Sequence, residues 1–442
     1  MSTDSSLLNE MLTNENLNKA FLQVVRNKGA EGVDGMKYTE LKDYLKEHGE
    51  EIKEQIRTRK YKPKPVRRVE IPKDNGGVRN LGVPTVLDRF IQQAIVQVLT
   101  PIYEPLFSEH SYGFRPNRCC EMAIIKALEY MNDGFQWVVD IDLEKFFDNV
   151  SHDKLITLVM RNVKDGEIVS LIRKYLVSGI MIDNEYKEST IGTPQGGNLS
   201  PLLSNIILNE LDKELEARDL RFTRYADDCI ILVGSSKAAD RVMENVSKFI
   251  ENKLGLKVNM IKSKVSKPNE IKYLGFGFFY DKHAKLWKAK PHETSIKKLK
   301  EKIKKLTSRN WSVSMDYRLL KLKQLIVGWV NYYRLGYFKM KAIEIDGNMR
   351  FRLRMCIWKQ WKKNFTRYKA LKKLGFNEDT SKKWANSRKS YARCASSFLK
   401  IAIPNNLLKK RGLSICRLFN PTVFTLFNPY RNAIPNEMAL FL

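Results

Sequence analysis

Two adjacent carboxylates interrupt an apolar, β-prone stretch in the segment RYADDCIILV, where Asp227 and Asp228 follow Ala226. The flanking residues predict two strands joined by a tight turn, with both acids at its tip. Like charges this close repel each other unless a cation lies between them, and Mg²⁺ binds such hard oxygen ligands. An Asx-type turn at the end of a hairpin explains the same residues equally well. The tetrapeptide alone therefore leaves a metal site and a simple turn as alternatives.

A second acidic pair lies in the segment VVDIDLEKFFD, which predicts another buried strand. Alternation places Asp140 and Asp142 on one face of that strand. If the strand lies beside the first hairpin, one of these two Asp joins Asp227 in holding two metal ions. Two such ions can activate an attacking 3′-hydroxyl and stabilise a departing pyrophosphate. Two acidic strands separated by a helix-forming segment are typical of the palm of template-dependent polymerases.

The remaining pattern predicts a mixed α+β chain. Residues 5–60 are predicted to be helices broken by the glycine-containing loop NKGAEGVDGM. RRVEIPK and VRNLGVP predict a β-hairpin around the Gly76-Gly77 turn, and DRFIQQAIVQVLTPIYEPLF and SPLLSNIILNELDKELEAR each predict a helix. From Ile296 onward the apolar residues recur at helical spacing among lysines. Most of the aromatic residues of this last region are predicted to pack in a core, although some could stack on bases or sugars.

The charge of the chain indicates a polyanionic partner. Its 442 residues carry 78 Lys and Arg against 49 Asp and Glu, a net charge of +29. Between Pro291 and Lys373 there are 23 basic and 5 acidic residues, so a domain boundary is predicted near 285–291. Nucleic acid is the favoured partner, because phosphates relieve this self-repulsion.

The sequence argues against several other classes of protein. Its six cysteines form no C-x-x-C pair, so neither a zinc site nor a disulfide framework is expected. No secretory signal is expected at the N-terminus, and no apolar run suggests a membrane span. We therefore expect a cytosolic protein with reduced thiols that binds no membrane.

Together these motifs resemble the reverse transcriptase–maturases encoded by group II introns, especially the compact class C members without an endonuclease domain. The resemblance covers nearly the whole chain and depends on the order of its motifs. These motifs are NKGAEGVDGM, IPKDNGGVRNLGVPTVLDR, HSYGFRPNR, DIDLEKFFDNVSH, GTPQGGNLSPLLSNI, YADD, GLKVNMIKSK, KYLGFGF and GWVNYYR.

The resemblance implies roles for the acidic residues. In the family pattern an aromatic residue follows the metal-binding Asp of the first strand by five positions, which selects Asp142 with Phe147 and leaves Asp140 structural. The ring of Phe147 would exclude a 2′-hydroxyl and so favour deoxynucleotides. Asp142 and Asp227 are then the firm ligands of two Mg²⁺ ions, for which Mn²⁺ could substitute. Asp228 is included in this metal site, although its role could be indirect.

The resemblance also implies residues that bind the nucleotide. Lys73 and Arg79 look like the cations that clamp the triphosphate, whereas without the family they would be ordinary charges of a hairpin. Gln195 resembles the residue near the nucleotide sugar. Lys262 resembles a basic residue near the leaving pyrophosphate.

The family implies a right-hand polymerase fold, with fingers and palm built on an antiparallel sheet and followed by a helical thumb. Its divisions would be an N-terminal extension (1–60), fingers and palm (61–290), a thumb called domain X (291–395) and a C-terminal segment (396–442). The expected partners are the intron RNA, an RNA template with a DNA primer, and deoxynucleoside triphosphates. The expected function is RNA-directed DNA synthesis together with assistance to intron splicing and mobility.

Two alternatives remain at this point. The chain could be a non-enzymatic splicing maturase, although the intact Asp142, Asp227 and Asp228 argue against that. It could also be a reverse transcriptase recruited to phage defence or diversity generation, which the well-formed thumb pattern disfavours.

Overall fold

The structure, a computed structural model, describes residues 6–72, 76–183, 185–193, 196–410 and residue 415. It divides into two compact units, Met1–Pro268 and Asn269–Leu442. The first contains both sheets of four strands, and the second contains one hairpin and a series of helices. The predicted α+β class and the helical C-terminal region are therefore confirmed.

The helices and strands of the first unit are labelled in chain order. They are α1 (Leu7–Met11), α2 (Asn14–Asn27), α3 (Leu41–Arg57), β1 (Val66–Pro72), β2 (Val78–Val83), α4 (Val86–Tyr103), α5 (Cys120–Asn132), β3 (Trp137–Ile141), α6 (Phe146–Asn149), α7 (His152–Asn162), α8 (Gly166–Leu176), β4 (Ile180–Ile182), β5 (Glu185–Lys187), α9 (Ser200–Ala217), β6 (Arg221–Tyr225), β7 (Asp228–Val233), α10 (Ser236–Phe249) and β8 (Lys264–Ser266).

The second unit continues this numbering. It contains β9 (Phe276–Asp281), β10 (Leu286–Pro291), α11 (Glu293–Leu306), α12 (Met315–Tyr332), α13 (Lys339–Gln360), α14 (Asn364–Lys373), α15 (Glu378–Ala385), α16 (Tyr391–Ser396), α17 (Phe398–Ala402) and α18 (Asn405–Lys410).

One sheet of the first unit has the order β6-β7-β3-β8, and all its neighbouring strands are antiparallel. Val138, Val139, Ile230 and Ile231 are fully buried within it, as expected for strands covered on both faces. Helices α5, α9 and α10 pack against these strands. This sheet, called the acidic sheet below, carries both predicted acidic motifs.

The other sheet has the order β2-β1-β4-β5, in which β1 and β2 form the predicted hairpin. The pair β1–β4 is parallel, so this sheet is mixed. The helices predicted within residues 5–60 are present as α1, α2 and α3. Their apolar faces, including Met11, Ala20 and Leu41, join the same hydrophobic core as α4.

The hairpin β9–β10 belongs to the second unit because its aromatic face packs within that unit. The ring of Phe276 lies 4.9 Å from that of Tyr333, which in turn lies 4.6 Å from the ring of Trp329. The boundary predicted near 285–291 thus falls inside the second unit. Lysine density shows where the basic surface begins, whereas packing decides where a compact unit begins.

No helix within the described ranges is both long enough and apolar enough to span a membrane.

Candidate polymerase site

The predicted acidic turn is the tip of the β6–β7 hairpin. Tyr225 pairs with Asp228 at the end of the ladder, so Ala226 and Asp227 form a two-residue connection. Ala226 has φ of 57°, a left-handed conformation that glycine adopts more easily than alanine. Asp227 is half-buried, while Asp228 opens β7 and is exposed. The hairpin predicted from the sequence is therefore present with its acids at the tip.

Asp142 lies at the end of the neighbouring strand. Ile141 pairs with Cys229, so the next positions of the two antiparallel strands are Asp142 and Asp228. A loop holds the backbone of Asp142 from both sides: its N–H donates to Ser263 Oγ at 3.0 Å, and its carbonyl accepts from the N–H of Asn259 at 2.8 Å. The acidic sheet therefore brings both sequence motifs to one edge.

A cation already faces this edge. Lys262 Nζ donates to Asp142 Oδ1 at 3.2 Å and to Oδ2 at 3.4 Å. The side chain of Asp142 is 34% exposed and that of Lys262 57% exposed, so both can exchange partners with solvent or ligand. The predicted metal ligand and the predicted pyrophosphate residue are thus direct neighbours.

Asp140 differs from Asp142 in its surroundings. Burial raises the pKa of the Asp140 carboxyl to about 6, the Lys264 ammonium acts in the opposite direction, and the Asp142 charge adds to the increase. Desolvation disfavours the charged form of a carboxylate. Asp140 therefore suits a structural position better than a permanently charged one.

A buried guanidinium holds the Ala226–Asp227 turn in place. Arg224 in β6 forms a two-pronged ion pair with Asp212 of α9, and both side chains are at most 1% exposed. Its Nη1 also donates to Asn205 Oδ1 at 3.0 Å and to the carbonyl of Ala226 at 2.9 Å. A planar fork of donors can satisfy several acceptors at once, so this side chain fixes the turn to helix α9.

The segment between α4 and α5 braces the same turn. Its Tyr112 N–H donates to the carbonyl of Arg224 at 2.8 Å, and the Arg224 N–H donates to the carbonyl of His110 at 2.9 Å. Gly113 lies so close that a Cβ there would be 2.2 Å from the backbone nitrogen of Ala226. Its carbonyl accepts from Asn205 Nδ2 at 2.8 Å. Only a residue without a side chain fits this contact.

Phe147 lies in the short helix α6, and its half-buried ring meets Phe146 edge-on at 5.1 Å. The carbonyl of Phe147 accepts from the N–H of Thr193 at 2.6 Å. His152 Nε2 lies 2.6 Å from the carbonyl of Gly192. These contacts fix Gly192 and Thr193, the start of the GTPQGG motif, beside Phe147, the residue predicted to exclude a 2′-hydroxyl.

The other predicted nucleotide residues are only partly covered by the structure. Lys73 and Gln195 lie outside the described residues. Arg79 is exposed in β2, opposite Ile71 in the hairpin register. Gly196 approaches the same strand, because a Cβ on it would be 2.4 Å from the carbonyl oxygen of Gly82.

The carboxylates at this edge are the kind of ligand that a hard divalent cation prefers. They do not by themselves form a complete coordination shell. Within residues 6–72, 76–183, 185–193, 196–410 and 415, no group of three or more His, Cys, Asp or Glu side chains is placed to hold an ion. Mg²⁺ is usually held by one or two carboxylates together with water and substrate phosphates. The contact between Asp142 and Lys262 shows that this carboxylate already attracts a cation.

The second unit carries a basic and aromatic cavity of about 310 Å³. Lys272, Lys298 and Lys302 line it together with Trp329, Tyr332 and Tyr333. Of the aromatic residues predicted to be core, Tyr333 and Trp358 are buried, Trp311, Trp329 and Trp361 are half-buried, and Tyr332 is 40% exposed. The region therefore combines a packed aromatic interior with a cationic surface.

Sequence reasoning assigned no role to Arg224, Asp212, Asn205 or Gly113. A signal for Arg224 was available, because a charged residue in the buried strand segment FTRY requires an opposite charge. The partner on α9 could not be identified without the fold, since the carboxylate of Asp212 looks like an ordinary helix-surface charge in sequence.

Two family descriptions match separate parts of the chain. Residues 71–278 match "Reverse transcriptase (RNA-dependent DNA polymerase)", and residues 296–375 match "Group II intron, maturase-specific domain". The first match includes the acidic sheet, and the second includes most of α11 through α14.

Curated relatives agree with these matches. Protein YkfC of Escherichia coli is 33% identical over 284 residues, covering 55% of this chain and 74% of YkfC. The group II intron-encoded protein LtrA of Lactococcus lactis is 38% identical over 212 residues, covering 48% of this chain and 35% of LtrA. A putative COX1/OXI3 intron 2 protein of Saccharomyces cerevisiae is 31% identical over 300 residues, covering 54% and 34%. The chain thus spans about a third of the length of the latter two.

Proposed function

This chain belongs to the family of group II intron-encoded reverse transcriptases and maturases, and from that membership we propose that it copies RNA into DNA at the edge of the acidic sheet. The observation that carries the proposal is the convergence of Asp142 and the Asp227–Asp228 pair on neighbouring strand ends. A template-dependent polymerase needs carboxylates there, because they would hold the divalent cations that neutralise the negative charge on the reacting phosphates.

Asp142 and Asp227 are the proposed ligands of two Mg²⁺ ions, with Mn²⁺ as a possible substitute and Asp228 beside them. When bound, such ions activate the primer 3′-hydroxyl and neutralise the departing pyrophosphate. The contribution of the protein is to hold the two carboxylates in place. The ladder of β3 and β7, the loop around Asn259 and the buried Arg224 support that role.

The nucleotide would be bound by residues around this edge. In this proposal Phe147 excludes a 2′-hydroxyl, Arg79 and Lys73 clamp the triphosphate, and Gln195 approaches the sugar. Lys262 would move from Asp142 to the departing pyrophosphate, since an ammonium can exchange one anionic oxygen for another at little cost.

The second activity we propose is binding of the group II intron RNA to assist its splicing and mobility. The match of residues 296–375 to the maturase-specific domain and their many lysines favour it. We retain as proposals an N-terminal extension (1–60), fingers and palm (61–290), a thumb (291–395) and a C-terminal segment (396–442). We also propose that the protein acts in the bacterial cytoplasm, at the nucleoid when DNA is the target.

Primer extension on an RNA template tests the proposal directly. With Mg²⁺ and deoxynucleotides the wild type should extend a DNA primer, whereas Asp227→Asn and Asp142→Asn should lose extension by about 10²- to 10³-fold. Asp133→Asn, which alters an exposed acid at the end of α5, is the matched control and should retain activity.

Binding of intron RNA by the same variants separates the two activities. Asp227→Asn should bind the RNA as the wild type does, since one acid contributes little to a strongly basic surface. Loss of both activities together would mean that the acidic edge is structural. Absence of extension by the wild type, with RNA binding intact, would favour the non-enzymatic maturase.

A further inference from the structure

An aromatic ring stands exposed beside the acidic turn. Phe114 is 53% exposed, although its large apolar side chain would ordinarily be buried. Its φ is 59°, in the left-handed region where a bulky residue is a genuine outlier. Phe114 is therefore costly in two ways, because the ring faces solvent and the backbone is strained.

The residues on both sides of Phe114 impose this conformation. Gly113 packs on the backbone of Ala226 and accepts a hydrogen bond from Asn205. Arg115 is 7% exposed and is held by Glu104 at 2.8 Å and by the carbonyl of Ser111 at 2.9 Å. Strained residues persist only where the surroundings over-determine them, and they cluster at functional sites.

The same segment also contains an aromatic residue that is buried, in contrast to Phe114. Tyr112, two positions earlier, is only 6% exposed, and the guanidinium of Arg118 lies 5.6 Å from its ring. Phe114 is instead turned outward. Its position is next in sequence to the glycine that touches the Ala226–Asp227 turn.

The chemistry of an exposed phenyl ring limits the possible ligand. A phenyl ring offers no hydrogen bond and no charge, only a flat apolar face. Nucleobases present such faces to single-strand-binding proteins, and aromatic residues stack on them with little sequence preference. A net charge of +29 supplies the attraction for the phosphates that accompany those bases.

We infer that Phe114 is a base-stacking residue that positions the nucleic-acid strand passing the acidic turn. The inference rests on the proposed polymerase function, because it requires a strand at this edge. The preceding glycine contact transmits any displacement of the stacked base to the backbone of Ala226. Stacking on Phe114 therefore helps to set where the strand lies relative to Asp227.

Fluorescence of 2-aminopurine tests this inference without measuring synthesis. The base analogue is placed at successive positions of the RNA template in one series and near the 3′ end of the DNA primer in another. In the wild type one position should change its fluorescence on binding, and Phe114→Ala should abolish that change. Phe114→Trp should restore it, since an indole stacks at least as well. The strand that reports the change identifies the one bound by Phe114.

Affinity and stability provide the controls. By fluorescence anisotropy Phe114→Ala should weaken binding of the primer–template about 5- to 100-fold, the range expected for one lost stack. Met160→Ala, which removes an equally exposed apolar side chain on α7, should bind as the wild type does. Phe114→Gly should bind equally weakly yet melt no lower than the wild type, because glycine accepts the left-handed backbone.

The outcomes separate this inference from the function on which it rests. If the wild type fails to bind a primer–template, the polymerase proposal itself is wrong. If the wild type binds and extends, while Phe114→Ala leaves both affinity and every 2-aminopurine signal unchanged, only the stacking role is overturned.

Discussion

At the scale of single residues, the side chain of Phe147 is expected to decide between deoxyribonucleotides and ribonucleotides. Replacing Phe147 with Val would open space where a 2′-hydroxyl has to fit. We expect the preference for deoxynucleotides, measured as the ratio of kcat/KM values for dNTP and NTP, to fall about 10- to 100-fold. Phe147→Tyr keeps a ring at the position and should keep most of the preference. An unchanged ratio for Phe147→Val would refute the assignment.

The buried pair of Arg224 and Asp212 gives a second prediction at this scale. Arg224→Met would leave the Asp212 carboxylate uncompensated in the core, which typically costs about 3–5 kcal/mol in the free energy of unfolding. Thermal and urea denaturation measure this loss. Arg221→Met, in the same strand, removes an ion pair with the exposed Asp219 and should leave the stability nearly unchanged, because exposed ion pairs contribute little.

A double variant separates the effect of the buried charges on stability from the effect of the Arg224 hydrogen bond on activity. Arg224→Met combined with Asp212→Leu removes both buried charges, so much of the lost stability should return. Activity should remain low, however, because the hydrogen bond from Arg224 to Ala226 is still missing. Full recovery of DNA synthesis would show that Arg224 does not position the turn.

The sequence predicted the strand and the hairpin that carry the acidic residues, but not the residues that hold them in place. Alternation located the pair Asp140 and Asp142, and turn chemistry located Asp227, because both operate over a few neighbouring residues. The choice of Asp142 over Asp140 came from the resemblance to the family. The partners of Arg224 lie on another element, and only the fold brings Asn205 and Asp212 to it. Asp140 and Asp142 illustrate the same limit, since strand alternation treats them alike while burial distinguishes them.

At the scale of elements, the contact between the His110–Gly113 segment and the β6–β7 hairpin should control activity. Gly113→Ala adds a Cβ only 2.2 Å from the Ala226 nitrogen, so the turn must shift. We expect kcat for primer extension to fall at least about tenfold, because small displacements of a catalytic group are costly.

The control for this prediction is Gly49→Ala in the middle of α3. A Cβ at Gly49 would meet nothing within 4 Å, and alanine favours a helix by about 1 kcal/mol over glycine. Gly49→Ala should therefore melt slightly higher and synthesise DNA normally. Normal kcat for Gly113→Ala would mean that the turn tolerates movement.

Most helices and strands could be predicted from the sequence. The unit to which the hairpin β9–β10 belongs could not. The β1–β2 hairpin, α4, α9 and the β6–β7 hairpin follow from apolar periodicity and turn residues. The assignment of β9–β10 to the second unit depends on the packing of Phe276 against Tyr333. Such long-range packing leaves no periodic trace in a single sequence.

At the scale of the whole molecule, the net charge predicts steeply salt-dependent binding. Lys297, Lys302 and Lys305 are exposed on α11 of the second unit. If each contacts a phosphate, changing all three to Gln should reduce the slope of log K against log salt by about 2–3 for duplex nucleic acid. Anisotropy titrations at several salt concentrations measure that slope.

Three exposed lysines of the first unit serve as the matched control. Lys19, Lys46 and Lys248 each lie next to a carboxylate of their own helix, at 2.7, 3.6 and 2.6 Å. Their replacement by Gln removes the same total charge from the molecule. If it lowered the slope as much as the α11 variant did, net charge rather than a defined thumb surface would govern binding.

The long-range contacts that hold the acidic turn also have a consequence for the order in which the chain folds during its synthesis. The hydrogen bond between Asn205 and Gly113 joins residues 92 positions apart, and the ladder that holds Asp142 requires β7 and β8, made later still. Contacts between distant parts of a chain form late, because the long loop between them must first be closed. A nascent chain that has emerged only a few residues beyond β3 therefore carries Asp142 but lacks the strands that complete the proposed site. The proposed site is therefore completed only near the end of synthesis of the first unit, when β7 and β8 are available.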